Sequence, residues 1–418
     1  FSSNPYETHG RLSNVVMGSG NTFAERLANA SVRIVPKAFY AKHRIGYFAP
    51  RLNFAWAPAR FNDKLSIRGG LGVFMERWPN IVWSDALRFN PPFQSSVTAD
   101  RRNASGPQPV YGLCQLDKPP FNCPFPSGLV IGVNERGGPI GALADIGGVA
   151  ADLRYAYSIN RFLGFQYAFT PDWTLEVDYL GSRGVHLYTT TDRNRFAGDT
   201  TFDGILNRLN PFFAAINYTD NSGWSDHNGG TISLRKRFSK GYALQATYTF
   251  GKTISVSDAI GPGRDSANAP IVDAYNFNAQ RGLASFDIPK RFAFSIVYEI
   301  PPIDLGSRAM NAIVHGWQLS AIGTFQDGYP AWVVDTSRDF NGDGYFFDPP
   351  DTPSYGNSKH CSRTDFLNRC LSPTDFPTPP CVRTDAQGVC IGWARAGTLG
   401  RNTFRGPGLA LVDFSLMR

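Results

Sequence analysis

A chain of 418 residues with 14% aromatic side chains (32 Phe, 17 Tyr), 42 Gly and only 18% charged residues falls below the roughly 25% charge of an average soluble domain, and the mix suits pleated strands joined by tight turns. The net charge of +7 is dispersed, its densest cluster being Arg235, Lys236 and Arg237, so no basic stripe exists for nucleic acid and none is expected as a partner. No apolar run approaches the roughly 18 residues of a membrane-spanning helix. That leaves strand-built membrane proteins open, because alternation keeps their mean hydropathy low.

The opening FSSNPYETHG has no initiator Met and no basic segment leading into an apolar one, so no secretory signal is visible. The sequence therefore reads as a fragment, with residues 1–49 expected as an extracellular loop that enters the first strand. Period-two alternation then predicts nine strands, since successive strand side chains point to opposite faces. The first two are expected at 50–57 and 64–75, the second with Leu65, Ile67, Leu71 and Val73 opposite Ser66, Arg68, Gly70 and Gly72. Strands at 158–169 and 173–188 follow, where Trp173, Leu175, Val177 and Tyr179 oppose Thr174, Glu176 and Asp178. Next come 229–238 and 242–253, the latter with Tyr242, Leu244, Ala246, Tyr248 and Phe250 against Ala243, Gln245, Thr247 and Thr249. The last three are 290–300, where Phe292, Phe294, Ile296, Tyr298 and Ile300 oppose Ala293, Ser295, Val297 and Glu299, then 316–334 and 408–417.

One greasy and one wet face would also suit a soluble sandwich; the connections separate the two. Short links at 58–63, 170–172, 239–241 and the somewhat longer 301–315 alternate strictly with long ones at 76–157, 189–228, 254–289 and 335–407. In an up-and-down meander every second connection lies at the same end, so the short links collect at one end and the long ones at the other. Outer-membrane barrels have this asymmetry, with short periplasmic turns and longer extracellular loops. The expected fold is thus all-β: an antiparallel up-and-down meander of about nine long strands forming part of a transmembrane outer-membrane β-barrel. Trp56, Trp173, Phe238, Tyr242 and Trp317 all fall near short turns, where an aromatic girdle at the lipid boundary belongs. Lys236 shares the outward parity and is expected to snorkel to that boundary. Parity places Arg68, Glu176, Asp178, Arg235, Arg237, Gln245, Glu299 and Gln318 on the lumen side, as a polar lining with outer-membrane lipid on the other face.

The two longest loops carry the six cysteines as Cys114/Cys123, Cys361/Cys370 and Cys381/Cys390, each pair nine apart. The regularity points to local disulfides in an oxidising compartment, although six cysteines allow about 15 connectivities. A zinc site competes poorly, because no CxxC occurs and His360 is the sole histidine near any of them. Asp339, Asn341 and Asp343 precede Gly344, with Asp348 four residues further on. Alternating oxygen donors closed by a glycine make a Ca²⁺ candidate; no other cofactor is expected. The twelfth position of an EF-hand would be Pro350 and not Glu, and a turn-rich acidic loop is the competing reading. No catalysis is expected: GSRG around Ser182 lacks the GxSxG spacing, no phosphate loop occurs, and the six histidines show no HExxH.

Several segments together resemble one family. They are FAPRLNFAW (48–56), IRGGLGVF (67–74), NPPF (90–93), LEVDYLGSRGVHLY (175–188), SLRKRFSKGYALQATYTFGKTI (233–254), RGLASFDIPKRFAFSIVYEIP (281–301), GWQLSAIGTFQDGYP (316–330), GRNTFRGPG (400–408) and DFSL (413–416). In this order they resemble the Oar-like TonB-dependent receptors, large transporters with a carboxypeptidase-regulatory-like N-terminal domain. The resemblance implies a barrel of about 22 strands closed by a plug, with the TonB complex as partner through an N-terminal region not found in this sequence. Residues 50–418 are then part of that barrel, near strands twelve to twenty, with the plug and the last strands missing. The implied function is energy-coupled import, or export, of a large substrate whose identity stays open, the extracellular loops making first contact. Adhesion or surface interaction by the same barrel without transport is the alternative, and a secreted soluble β-protein a third.

Overall fold

The computed structural model describes residues 7–36, 48–76, 84, 87–97, 132–140, 143–195, 208–256, 272–303, 306–356, 364–365, 368 and 370–418. Among the described residues nine long strands carry the architecture: β1 Arg51–Trp56, β2 Leu65–Met75, β3 Tyr157–Ala168, β4 Trp173–Asp192, β5 Ile216–Ser239, β6 Tyr242–Ser255, β7 Lys290–Glu299, β8 Gln318–Gln326 and β9 Leu409–Met417. Each pairs antiparallel with its neighbours in sequence, and β1 and β9 stand at the two ends of the path. Three short strands, Ser96–Val97, Ala144–Val149 and Gly282–Leu283, attach at the long-loop end.

The register explains why these residues form a wall. Reading across the sheet, Trp56, Ile67, Phe165, Val177, Ile232, Tyr248, Phe292, Phe325 and Ala410 stand opposite one another in a row, one from each strand. Every member is apolar, and many stay open: Trp56 is 59% exposed, Phe165 43% and Ile232 41%. A one-residue slip would turn the whole row to the wet face, so the pattern fixes the register. The short turns suit it too. Lys240 and Gly241, between β5 and β6, both have positive φ (54° and 81°), the conformation whose twist matches that of paired strands.

Three boundaries differ from expectation. β5 starts at Ile216 and not near 229, and β4 runs on to Asp192. These extensions carry Asn217, Asp220, Asn221 and Ser225 and contain register shifts between Gly184 and Thr189. Strand that projects above the lipid has no greasy face to alternate, so periodicity could not mark it. β8 in turn stops at Gln326 and not near 334; the chain leaves the ladder, and Pro330–Ala331 pairs with Phe404–Arg405 instead.

The buried apolar core lies above this wall. Residues 7–36, within the segment expected as an entering loop, contain the antiparallel pair Ser13–Val16 and Ser31–Ile34 with a short helix, α1 (Phe23–Ala28), between them. Thr22 caps the helix through Glu25 in a reciprocal capping box. Their Val15, Leu27 and Val32 pack with Leu87, Ile146, Val149, Leu153, Phe213, Ile216 and Tyr218. The strand Ala144–Val149 lies parallel to the start of β5, joining Ile146 to Ile216. The long loops and the upper ends of β4 and β5 therefore form a small folded cap.

Candidate functional site

The wet face of the wall is the first half of the site. Arg68, Gly164, Asp178, Thr231, Thr249 and Arg291 form one row across β2 to β7. Gln166, Glu176, Ser233 and Thr247 form the next. Arg235 stands opposite Gln245, and Glu299 opposite Gln318. The guanidinium of Arg68 meets the Glu176 carboxylate across the two rows. Arg237 lies past the last regular pair, in the irregularity before the turn, and is not gathered with the others.

Higher on the same face, Arg51, Asn53, Phe74, Asn160, Phe162, Ser182 and His227 line a cleft of about 380 Å³ over Gly70 and Gly72. A Cβ on Gly70 would come within 2.2 Å of Asn53 Oδ1, so glycine is what lets the side chains lie along the floor. Ser182 Oγ donates to Asn160 Oδ1 at 2.8 Å, and Arg51 stacks 4.5 Å over Phe74. In the sequence this cleft is signalled only by Gly70 and Gly72, a pair of glycines at wet-face positions.

The second half is a buried ionic junction in the cap. Asp192, Arg193, Asn194 and Arg195 leave the top of β4. Arg193 pairs with Asp220 at 2.7 Å and lies 4.4 Å over Phe277 and 5.3 Å over Phe23. Asn194 donates to the carbonyls of Asn210 (3.0 Å), Phe213 (3.1 Å) and Ala214 (2.7 Å). Burial pushes the Asp192 carboxyl upward, opposed by Arg208 and by the amides of Ile216 and Asn194. Arg195 reaches across to Asp343 at 2.7 Å and stacks 4.2 Å over Tyr345. The junction thus ties the N-terminal unit, the β4–β5 link, the stretch after residue 272 and the loop that carries the candidate cation motif.

Within that motif the oxygens already have partners. Asp339 accepts from the amides of Asp343 (3.1 Å) and Gly344 (2.7 Å), and Asp348 from those of Phe340 (2.6 Å) and Asn341 (3.3 Å). Asn341 Oδ1 accepts from the Asp343 amide at 3.1 Å, and the second oxygen of Asp343 holds Arg195. Burial first, then the charge of Asp343, pushes Asp339 up to about 6 and Asp348 up to about 7. Among the described residues no group of three or more His, Cys, Asp or Glu side chains is gathered for a metal ion.

A third set had no sequence reading beyond the resemblance. Arg401 donates through Nε to Gln280 O at 2.9 Å and through Nη2 to Ser255 at 2.5 Å. Asn402 donates to Leu283 O at 2.7 Å, and Arg405 pairs with Asp287. The GRNTFRGPG stretch is thereby bolted onto the RGLASFDIP stretch at the rim above β6 and β7. The Cys381–Cys390 disulfide is formed, with Cα atoms 5.9 Å apart across a small hairpin. Cys370 is disulfide-bonded, and Cys114, Cys123 and Cys361 lie outside the described residues.

Lys236 corrects an expectation at the opposite end. Its ammonium does not snorkel outward; it donates to the carbonyls of Ser239 (2.7 Å) and Tyr242 (2.9 Å) and sits 3.8 Å over the Tyr242 ring. The turn carbonyls lie within reach of its ammonium, and the lysine takes them, remaining 4% exposed.

Comparison with curated proteins gives no match. Among solved structures the chain is similar to the outer membrane transporter YddB from Escherichia coli, with 10% identity over 69% of this chain and 30% of that one and a TM-score of 0.37. It is similar to the FrpB iron transporter from Neisseria meningitidis at 9% identity, 68% and 27% coverage and a TM-score of 0.33. A mutant of the ferric enterobactin receptor PfeA from Pseudomonas aeruginosa gives 12% identity, 68% and 28% coverage and 0.36. The chain spans less than a third of the length of each of these three. The family model of the outer membrane beta barrel domain matches residues 1–418. Together with the meander and its outward apolar rows, this match shows that the chain belongs to the outer membrane beta barrel domain family and resides in the outer membrane of a Gram-negative cell.

Proposed function

We propose that this chain supplies the barrel wall and the extracellular binding loops of an Oar-like TonB-dependent transporter that moves a large substrate across the outer membrane. The observation that supports it is the pairing of a polar face that carries a glycine-floored cleft with a cap of long loops that folds around its own core. On this reading the rows through Arg68, Glu176, Asp178, Arg235, Gln245, Glu299 and Gln318 line the lumen. Binding residues sit well on loops held by a rigid scaffold. The test uses the full-length protein. It is expected to carry a plug and a TonB box upstream and to retain the periplasmic domain of TonB in a pull-down. A full-length product with neither feature and no retention would leave surface adhesion as the function.

Ca²⁺ in the 339–348 loop is a separate proposal that rests on the spacing of its oxygen donors. It requires Asp343 to exchange Arg195 for the ion. Titration calorimetry of the purified protein decides it, and silence at millimolar Ca²⁺ removes it.

A further inference from the structure

The link between β7 and β8 differs from the other described turns at its end of the molecule, because it contains an α-helix, α2 (Arg308–Val314), where the β1–β2 turn has only a three-residue 3-10 turn (Ala59–Phe61). Seven residues make a helix of about 10 Å, too short to hold itself in water. Besides Arg308, its exposed side chains are apolar: Met310 is 50% exposed and Ile313 62%, with Ile303 of the same link at 58%. Met310 and Ile313 are three apart and so share a face, while Arg308 points away from it.

Four contacts around Trp317 and the link place α2 at the outward side of the wall. Trp317 continues the β8 ladder, its carbonyl accepting from Ile300 N at 2.9 Å, and by alternation with Gln318 its ring points outward. The Trp317 indole donates to Ile313 O at 2.6 Å, which ties the last turn of the helix to that ring. The Arg418 guanidinium lies 5.8 Å from the same ring, and His315 meets Ile303 O at 3.1 Å, closing the link. The end of α2 at Ile313 is therefore joined through Trp317 to the outward rows, where Leu319 and Tyr298 face each other.

We propose that α2 is an interfacial foot: its Met310–Ile313 face is seated in the periplasmic phospholipid leaflet, with Arg308 and Arg418 at the level of the phosphates. The occupant is lipid and not a protein, because Trp317 joins the helix to the belt that already faces lipid, and the two charges beside the Met310–Ile313 face and the Trp317 ring, Arg308 and Arg418, are cationic. Interfacial helices bury their apolar face about 5–10 Å into the boundary, and Trp with Arg is the pairing that this depth selects.

The test is spin-label accessibility on the full-length protein in phosphatidylethanolamine/phosphatidylglycerol vesicles, with barrel folding confirmed by heat-modifiable migration in gels. Labels at Met310→Cys and Ile313→Cys are expected to collide more with oxygen than with a water-soluble nickel chelate. Labels at Arg308→Cys and at Lys240→Cys in the β5–β6 turn are expected to show the reverse. Chelate-dominated collisions at both 310 and 313 would overturn the proposal, as would their protection only after periplasmic extract is added, which would assign the face to a protein partner.

Discussion

The wall and the cap obey opposite rules with the same residue types. In the wall, Phe165, Ile232, Phe292 and Phe325 point away from the protein and remain exposed, while threonine, glutamine and ion pairs occupy the inner side. In the cap, Leu27, Ile146, Phe213 and Ile216 are fully buried, and the ionic groups are buried with them. The hydrophobic effect acts in both. What differs is the solvent: lipid accepts the apolar rows of the wall, whereas the cap stands in water and must hide its own.

The largest expected effect is on the cap. Arg195→Ala leaves the Asp343 carboxylate, 14% exposed, without its partner, and breaking a buried pair from one side costs about 3–5 kcal/mol. Limited proteolysis is expected to cut the 335–348 loop while the barrel keeps its heat-modifiable migration. Uncut loops would mean that the junction does not hold the cap. The matching test of the wall is Ile232→Arg, whose neighbours are Val177 and Tyr248. A cation on the lipid face costs about 2–4 kcal/mol near the midplane, so denaturant unfolding in lipid is expected to shift while the cap loops stay protected. No shift would place Ile232 outside the bilayer.

The same contrast sets what could be read from the sequence. Wall strands repeat every two residues, so nine of them could be placed, along with the sorting of turns and loops. The cap has no period. Its core is gathered from Leu27, Leu87, Ile146 and Phe213, far apart in sequence and individually ordinary. Asp192 to Arg195 fell in a segment read as loop, and nothing local signals that Asp343 waits some 148 residues away. The candidate cation motif was visible as an oxygen pattern, but the structure turns that pattern to amides and to Arg195. The α2 link looked only like a longer turn, because seven residues are too few for a helical period to stand out.

A smaller effect is expected where the two regions meet. Asn402 has φ of 56° and donates to Leu283 O. Asn402→Ala loses a hydrogen bond of about 1 kcal/mol and adds left-handed strain of about 1 kcal/mol. Asn402→Gly loses only the first. Faster hydrogen exchange at 282–287, greater for Ala than for Gly, is the expected readout, and equal rates would show that the backbone conformation carries no cost there.

The smallest effect separates the two kinds of ion pair directly. Arg68 and Glu176 are joined as Arg195 and Asp343 are, but their side chains are 39% and 34% exposed, and exposed pairs contribute about 0.2–1 kcal/mol. A double-mutant cycle with Arg68→Met and Glu176→Gln is therefore expected to give a coupling at least threefold below that of Arg195→Met with Asp343→Asn. It should also fade with salt, since water on the wet face admits counter-ions, whereas the cap coupling should hold. Equal couplings would mean that the inner side of the wall is as dry as the cap, and the description of that face as hydrated would have to be given up.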